Sequence, residues 1–230
     1  MKRLIVPVLL VLLASTSCSS QKSVMGNIAD DRKELVKMTS SEVNRKATKA
    51  ARDEAKQLKK EGWKVTPGAL PLDRQLDRSY MMQYEFDENL MPKYITGEAM
   101  SIGNNYDGAK MQALELAKQN LAGNIQTEVA ALTENTVTNN QLSAEEAATV
   151  TKTISASKSI IAQNLGRTLT VVEAYRTLPN KNKEVLVRIA YSMDAAMETA
   201  KNAVRKSLEE QGEDLHEELD VIFSQKHNQE

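Results

Sequence analysis

"KYITGEAMSIGNNYDGAKMQALELAKQNLAGNI", residues 93–125, changes its hydrophobic period part-way along, and that change decides the fold. From Lys93 to Ile102 the side chains alternate, with Tyr94, Thr96, Glu98, Met100 and Ile102 on one side, as in a strand. Gly97 and Gly103 mark a close backbone approach or a bulge. From about Tyr106 the period lengthens. Leu114, Ala117, Leu121, Ile125, Val129 and Leu132 recur in steps of three and four, the stripe of a long helix. Alanines 109, 113, 117, 122, 130 and 131 leave that helix room to lie close against another layer.

Downstream, "TENTVTNN" (133–140) predicts a weakened helix end, rich in Asn and Thr. "SAEE" (143–146) fits the Ser-x-x-Glu capping box, and Ala147, Val150, Ile154, Ile161 and Leu165 give one further helix its face, with Gly166 as its C-cap. "TLTVVEAYRTL" (168–178) and "EVLVRIAYS" (184–192) read as a hairpin joined by "PNKNK". In the second strand Val185, Val187, Ile189 and Tyr191 share a face. Leu186, Arg188, Ala190 and Ser192 oppose it, which predicts a wetter outer face. A last helix spans about 194–211 on Ala196, Ala200, Val204 and Leu208, and an acidic C-terminal tail, 212–230, carries Leu215, Leu219 and Ile222 as one more short helix before a frayed end.

Upstream, "EGWKVTPGALP" (61–71) breaks any helix, and Trp63 with Val65 suggests a short strand or packed turn. Pro71 suits a helix start, after which Leu72, Leu76, Tyr80 and Tyr84 keep helical spacing until Pro92. The Met and Tyr cluster here (Tyr80, Met81, Met82, Tyr84, Met91) reads as filler of an irregular core, or as the wall of a ligand pocket. Residues 28–61 are free of proline and glycine, with a thin apolar face (Leu35, Val36, Val43, Ala47, Ala51, Leu58) and a basic stretch at 45–60. That charged N-terminal helix either covers a flank of the domain or rests its basic side on anionic lipid or a partner. The order of elements predicts an α+β fold. A small antiparallel sheet (strands near 94–102, 168–178 and 184–192) packs against long helices, preceded by an extended N-terminal helix.

The first residues have a different purpose. Met-Lys-Arg, then the apolar Leu4–Ala14, then a small-residue exit make a signal peptide over 1–17. The apolar run is shorter than the about 20 residues a membrane helix needs. Cys18, the only cysteine of the chain, follows at once. "STSC" (15–18) resembles a bacterial lipobox, in the loose form of Bacteroidota, with Ser17 fitting well and Ser15 standing where Leu is usual. What that resemblance implies is lipidation at Cys18, by thioether to diacylglycerol (palmitate-type chains), and a lipid-anchored mature protein. The alternative, an unlipidated secreted protein, leaves an odd thiol in an oxidising compartment to be explained. Residues 18–27 read as a flexible tether, and 62–211 as the α+β domain. Ser19-Ser20-Gln21-Lys22 lacks the acidic signal that sends some such lipoproteins to the cell surface, which favours the outer membrane facing the periplasm.

Losing Lys2 and Arg3 with the signal peptide leaves 28 basic against 31 acidic residues, a formal charge of −3. That balance argues against a nucleic-acid partner, as does the lack of aromatics within 45–60. His216 and His227, the only histidines, both sit in the tail, so no metal site, no cofactor and no catalytic residue set is expected. "GNNYDGAK" (103–110) approaches a phosphate loop, yet Ala109 stands where its lysine belongs and Lys110 where its hydroxyl belongs; a helix-capping turn is the simpler reading. The paired carboxylates Asp30-Asp31, Asp53-Glu54 and Glu145-Glu146 lie on helices with exposed character.

"PKYITGEAMSI…YDGAKMQALELAKQNLAGNI" with the later "EVLVRIAYSMDAA" resembles the Lpp-twenty-type bacterial envelope lipoproteins, over roughly residues 90–200. The resemblance implies an envelope lipoprotein with a compact α+β domain, and brings no catalytic residues. The expectation is a non-enzymatic, lipid-anchored protein that binds or supports another envelope component. The alternatives are a periplasmic binding module for a small apolar or peptide ligand, and an enzyme of unknown type.

Overall fold

The computed structural model describes residues 46–88, 90–139, 141–212 and 215–224. The chain divides into two units, Met1–Lys46 and Ala47–Glu230, and the fold described is that of the second. The signal segment 1–17, Cys18, the tether and the predicted helix as far as residue 45 lie outside the described residues. In order, the elements are α1 (Lys49–Lys60), α2 (Leu72–Gln83), β1 (Tyr94–Gly103), α3 (Tyr106–Thr138), α4 (Ala144–Ala156), α5 (Lys158–Asn164), β2 (Leu169–Thr177), β3 (Lys183–Ser192), α6 (Met193–Gln211) and α7 (His216–Ser224).

The three strands form one antiparallel sheet in the order β1-β3-β2, as expected of the α+β class. β1 runs in unbroken register with β3, from Tyr94 opposite Ser192 to Gly103 opposite Lys183. β2 carries a bulge between Thr170 and Val172. α3 lies along the inner face of β1 at very short range. A Cβ on Gly97 would stand 2.3 Å from the Ala117 carbonyl oxygen and 2.7 Å from Leu121 Cβ. Ala109, Ala113 and Ala117 are fully buried, so methyl groups are all that separates the helix from the sheet. Beyond the sheet, Leu121, Ile125 and Val129 continue into the main core, where α4, α5, α6 and α7 pack.

Five local expectations change. α2, expected to keep its helical spacing until Pro92, ends at Gln83, where backbone hydrogen bonds from Asp87 to Met91 and from Lys93 to Glu85 fold the chain back on itself. α3 does not weaken at Thr133 but runs to Thr138: the hydroxyls of Thr133 and Thr136 donate to the carbonyls of Val129 and Leu132, and both threonines are buried. The single helix expected over 144–165 breaks at Ser157 into α4 and α5. Gln126 donates to the Ile154 and Ser155 carbonyls there, satisfying oxygens freed near the end of α4. Gly166 is not a left-handed cap; its N–H donates to the Tyr191 hydroxyl, while the left-handed cap belongs to Gly212 after α6, with φ of 78°. The outer sheet face is dry. Leu186 and Ala190 are buried with Val172 and Ala174 under α2, the alanines of α1 and Trp63.

The capping box of Ser143 and Glu146 is present, and its hydrogen bonds hold the Glu146 carboxyl below its ordinary range. α7, read from sequence as a short helix in the tail, places Leu219 and Ile222 fully inside the core. Asp220 between them takes Lys201 Nζ at 2.7 Å and Arg205 Nη2 at 3.2 Å, which pins α7 to α6.

Gly97→Ala is expected to cost about 3 kcal/mol or more, because backbone atoms on both sides must move. Gly103→Ala, whose nearest contact would be 3.0 Å, is expected to cost only about 1 kcal/mol. Denaturant unfolding of the two variants measures the difference, and equal losses would contradict the packing described.

Candidate functional site

The phosphate-loop-like stretch closes on itself. Gly103 ends β1, and Asn105 caps α3 by accepting the Gly108 N–H at 2.8 Å. Lys110 does not face a ligand: its Nζ lies 3.0 Å from Glu173 Oε1 and 2.9 Å from Oε2, on β2. The Tyr106 hydroxyl also donates to Glu173, and its ring meets Tyr175 edge-on at 5.3 Å. The backbone N–H of Glu173 in turn donates to Gln75 Oε1 on α2 at 2.7 Å, and Gln75 Nε2 donates to the Leu70 carbonyl. Glu173 therefore ties α2, α3 and the 61–71 loop to β2. Burial, then the hydrogen bond to Glu173, pushes the Tyr106 phenol well above its ordinary value of 10.0. A phenol held protonated beside a carboxylate neutralised by lysine is a fastener, not a nucleophile.

The Met and Tyr cluster divides in two. Met82 is buried and Tyr80 half-buried against the outer face of the sheet, where Leu72, Leu76, Val172 and Leu186 fill the interior. Met81 and Tyr84 point outward, and Tyr84 is 71 % exposed. Tyr84 opens a short loop, in which Asn89 lies outside the described residues. Within it the Asp87 N–H donates to the Met91 carbonyl at 2.8 Å, the Met91 N–H to Asp87 Oδ1 at 2.8 Å, and the Lys93 N–H to the Glu85 carbonyl at 2.9 Å. Leu90 sits at its tip with φ of 60° and 80 % exposure, and Phe86 is 46 % exposed. A large apolar residue in the left-handed region on a surface tip is uncommon, and costs on the order of 1 kcal/mol.

An open groove of about 970 Å³ runs between the second half of α3 and α4, lined by Ala, Thr and Val side chains with Glu134 and Lys152. Among the described residues no group of His, Cys, Asp and Glu could hold a metal ion, and no helix is long and apolar enough to cross a membrane. His216 Nε2 lies 3.5 Å from Glu209; His227, Cys18 and Asp30-Asp31 lie outside the described residues. Glu145 and Glu146 belong to the capped start of α4, and Asp53 and Glu54 to α1, so the structure brings none of these pairs together across a cleft. The basic side chains of Lys56, Lys59 and Lys60 face solvent, while Ala51 and Ala55 turn inward: α1 covers a flank of the domain.

Glu173 was missed from sequence, although a carboxylate inside the apolar run "TVVEAY" was the available signal. Phe86 and Leu90 were missed because only the turn fixes their exposure. Compared with known protein families, curated proteins and solved structures, the chain matches none. The resemblance over residues 90–200 thus rests on the residue pattern alone.

Because the folded-state pKa of Tyr106 is raised, the stability it supplies is complete below pH 10 and is lost as the pH rises above that. Spectrophotometric titration should show a phenol that ionises well above the ordinary tyrosine value, absent in Tyr106→Phe. In Glu173→Gln that phenol should move down yet stay above its ordinary value, since burial is the larger cause.

Proposed function

We propose that this chain is a non-enzymatic, lipid-anchored lipoprotein of the cell envelope, held in the outer membrane on its periplasmic face, whose folded domain binds or supports another envelope component. The lipobox-like Ser15–Cys18 supports the anchor, and the pattern shared with Lpp-twenty-type lipoproteins over 90–200 belongs to the same reading. Residues 19–46 lie between the anchor and the domain, and with 19–27 extended and 28–46 helical, as the sequence predicts, they reach about 60 Å. The domain can therefore meet a partner well away from its own bilayer.

The observation that carries the binding role is the loop from Tyr84 to Lys93. Hydrogen bonds join Glu85 to Lys93 and Asp87 to Leu90 and Met91, Leu90 is held in an unfavourable conformation, and Tyr84, Phe86 and Leu90 face outward. Ordered apolar display of this kind marks a contact surface. The glutamates and aspartate around it (Glu85, Asp87, Glu88) disfavour an anionic lipid surface and favour a protein.

Cys18→Ser is expected to abolish incorporation of labelled fatty acid and to release or misprocess the protein; equal labelling of variant and wild type would end the anchor reading. A photo-crosslinking residue at position 84 in intact cells should yield one discrete adduct with an envelope protein. Leu90→Asn should remove that adduct while leaving stability unchanged or raised by up to about 1 kcal/mol, because Asn tolerates the left-handed region. An adduct insensitive to Leu90→Asn would count against the loop.

A further inference from the structure

The free edge of β1 is treated differently along its two halves. Asn124 Nδ2 donates to the Thr96 carbonyl and Asn120 Nδ2 to the Glu98 carbonyl, each at 2.8 Å. Alternate residues of an antiparallel strand turn their N–H and C=O to the same side, so Met100 and Ile102 also face this edge. Four residues of helix rise about 6 Å and two residues of strand about 6.6 Å, which is why the asparagines step in time with the carbonyls. The next step along α3 is Leu116. By the same step it falls level with Met100; its side chain has no donor and is 42 % exposed. One step further, Gln112 is occupied, accepting from Ser101 Oγ at 2.6 Å.

The edge from Met100 to Ile102 is thus left without a side-chain cap among the described residues, and it is flanked by apolar groups. Met100 (54 % exposed) and Ile102 (51 %) lie on the outer side, and Leu116 on the inner side. No charge occurs from Ala99 to Asn105, and Glu98 is neutralised by Arg188 Nε at 2.5 Å. Natural edge strands are normally guarded by charge, proline or a covering segment. The opposite edge of the sheet has such a guard, since Lys64 pairs with Tyr175 of β2 through two backbone hydrogen bonds.

We propose that the open half of the β1 edge is a docking strand for a second copy of this chain. This reading is independent of the loop at Tyr84–Lys93 and of the anchor. Antiparallel pairing about Ser101 sets Met100 opposite Ile102 of the other copy and Ala99 opposite Gly103. Glu98 falls opposite Asn104, so no like charges meet. The even-numbered residues then face each other, as the ladder requires, and the two three-stranded sheets become one of six. A two-fold axis at Ser101 keeps both α3 helices on one face, with Leu116 turned towards its counterpart. The uncharged run is what makes this stretch complementary to itself.

The test uses the full-length protein in its membrane. Met100→Cys combined with Ile102→Cys should form a disulfide-linked dimer on mild oxidation, since paired Cα atoms about 5.5 Å apart suit the bond. Met111→Cys, on the solvent side of α3 and 73 % exposed, reports chance collision and should crosslink at least tenfold less. Leu116→Asn, which offers the Met100 carbonyl the cap that Asn120 gives Glu98, should reduce the dimer at least tenfold with an unchanged circular dichroism spectrum. Met100→Lys should likewise abolish the dimer seen for the parent protein by sedimentation in detergent. Equal crosslinking from position 111, no effect of Leu116→Asn and Met100→Lys, or crosslinks only to a different protein would each overturn the proposal.

Discussion

The contact of Gly97 with the backbone of α3 sets the spacing on which the other contacts depend. At that distance only hydrogen on the strand and methyl groups on the helix fit, so Ala109, Ala113 and Ala117 are a steric requirement rather than weak core residues. Two sets of polar reach follow from it. Asn120 and Asn124 can touch the edge carbonyls of β1, and Tyr106 and Lys110 can cross the sheet to Glu173 on β2. A larger residue at any of these positions would lift the helix and lengthen all of those hydrogen bonds together.

The sheet divides the hydrophobic side chains into two clusters, one on α3 to α7 and one under α1 and α2. Each fully buried Leu, Ile or Val adds about 1.5–3 kcal/mol to the driving force, but apolar burial alone does not fix how the layers are oriented. Directional bonds do that. Arg188 joins Glu98 on β1 to Ser79 on α2, Asp77 accepts the Thr48 N–H before α1, and Arg176 bonds Glu184 while stacking 4.8 Å from the Trp63 ring. Polar residues paired across the layers, with Asp77 and Ser79 buried among them, thus select one arrangement among several that would bury the same area.

The elements legible in the sequence were those governed by local spacing: β1, the start of α3, the capping box, the hairpin and α6. Each depends on side chains within a few positions of one another. What the sequence concealed depends on partners far along the chain. The wetness of the Leu186 face was misread because its cover, α1 and α2, lies about a hundred residues earlier. The break at Ser157 is held by Gln126 from another helix, and Thr133 stays helical because its hydroxyl finds a carbonyl four residues back in a buried place. Cys18 lies outside the described residues, so its role is still read from the pattern of residues 1–18. The stretch 84–93 was read as the end of a helix closed by Pro92, whereas the helix stops at Gln83, because the hydrogen bonds that fold the loop back join residues four to eight positions apart.

The use of aromatic residues bears on that loop. Aromatics make up 4 % of the chain, with one Trp, two Phe and six Tyr. The main core is built from Ala, Val, Leu, Ile and Met, with Tyr and Phe only at its margin. A fold this poor in aromatics gains most by burying each one it has, because a ring removes 150–250 Å² from water. Trp63 follows that rule, at 4 % exposure; Tyr84 and Phe86 break it within three residues, beside a leucine in a left-handed conformation. Folding alone supplies no gain for placing them there. Burial against a second surface would recover the apolar area and leave the hydrogen-bonded turn unchanged, which is the physical basis of the proposed contact role of the loop.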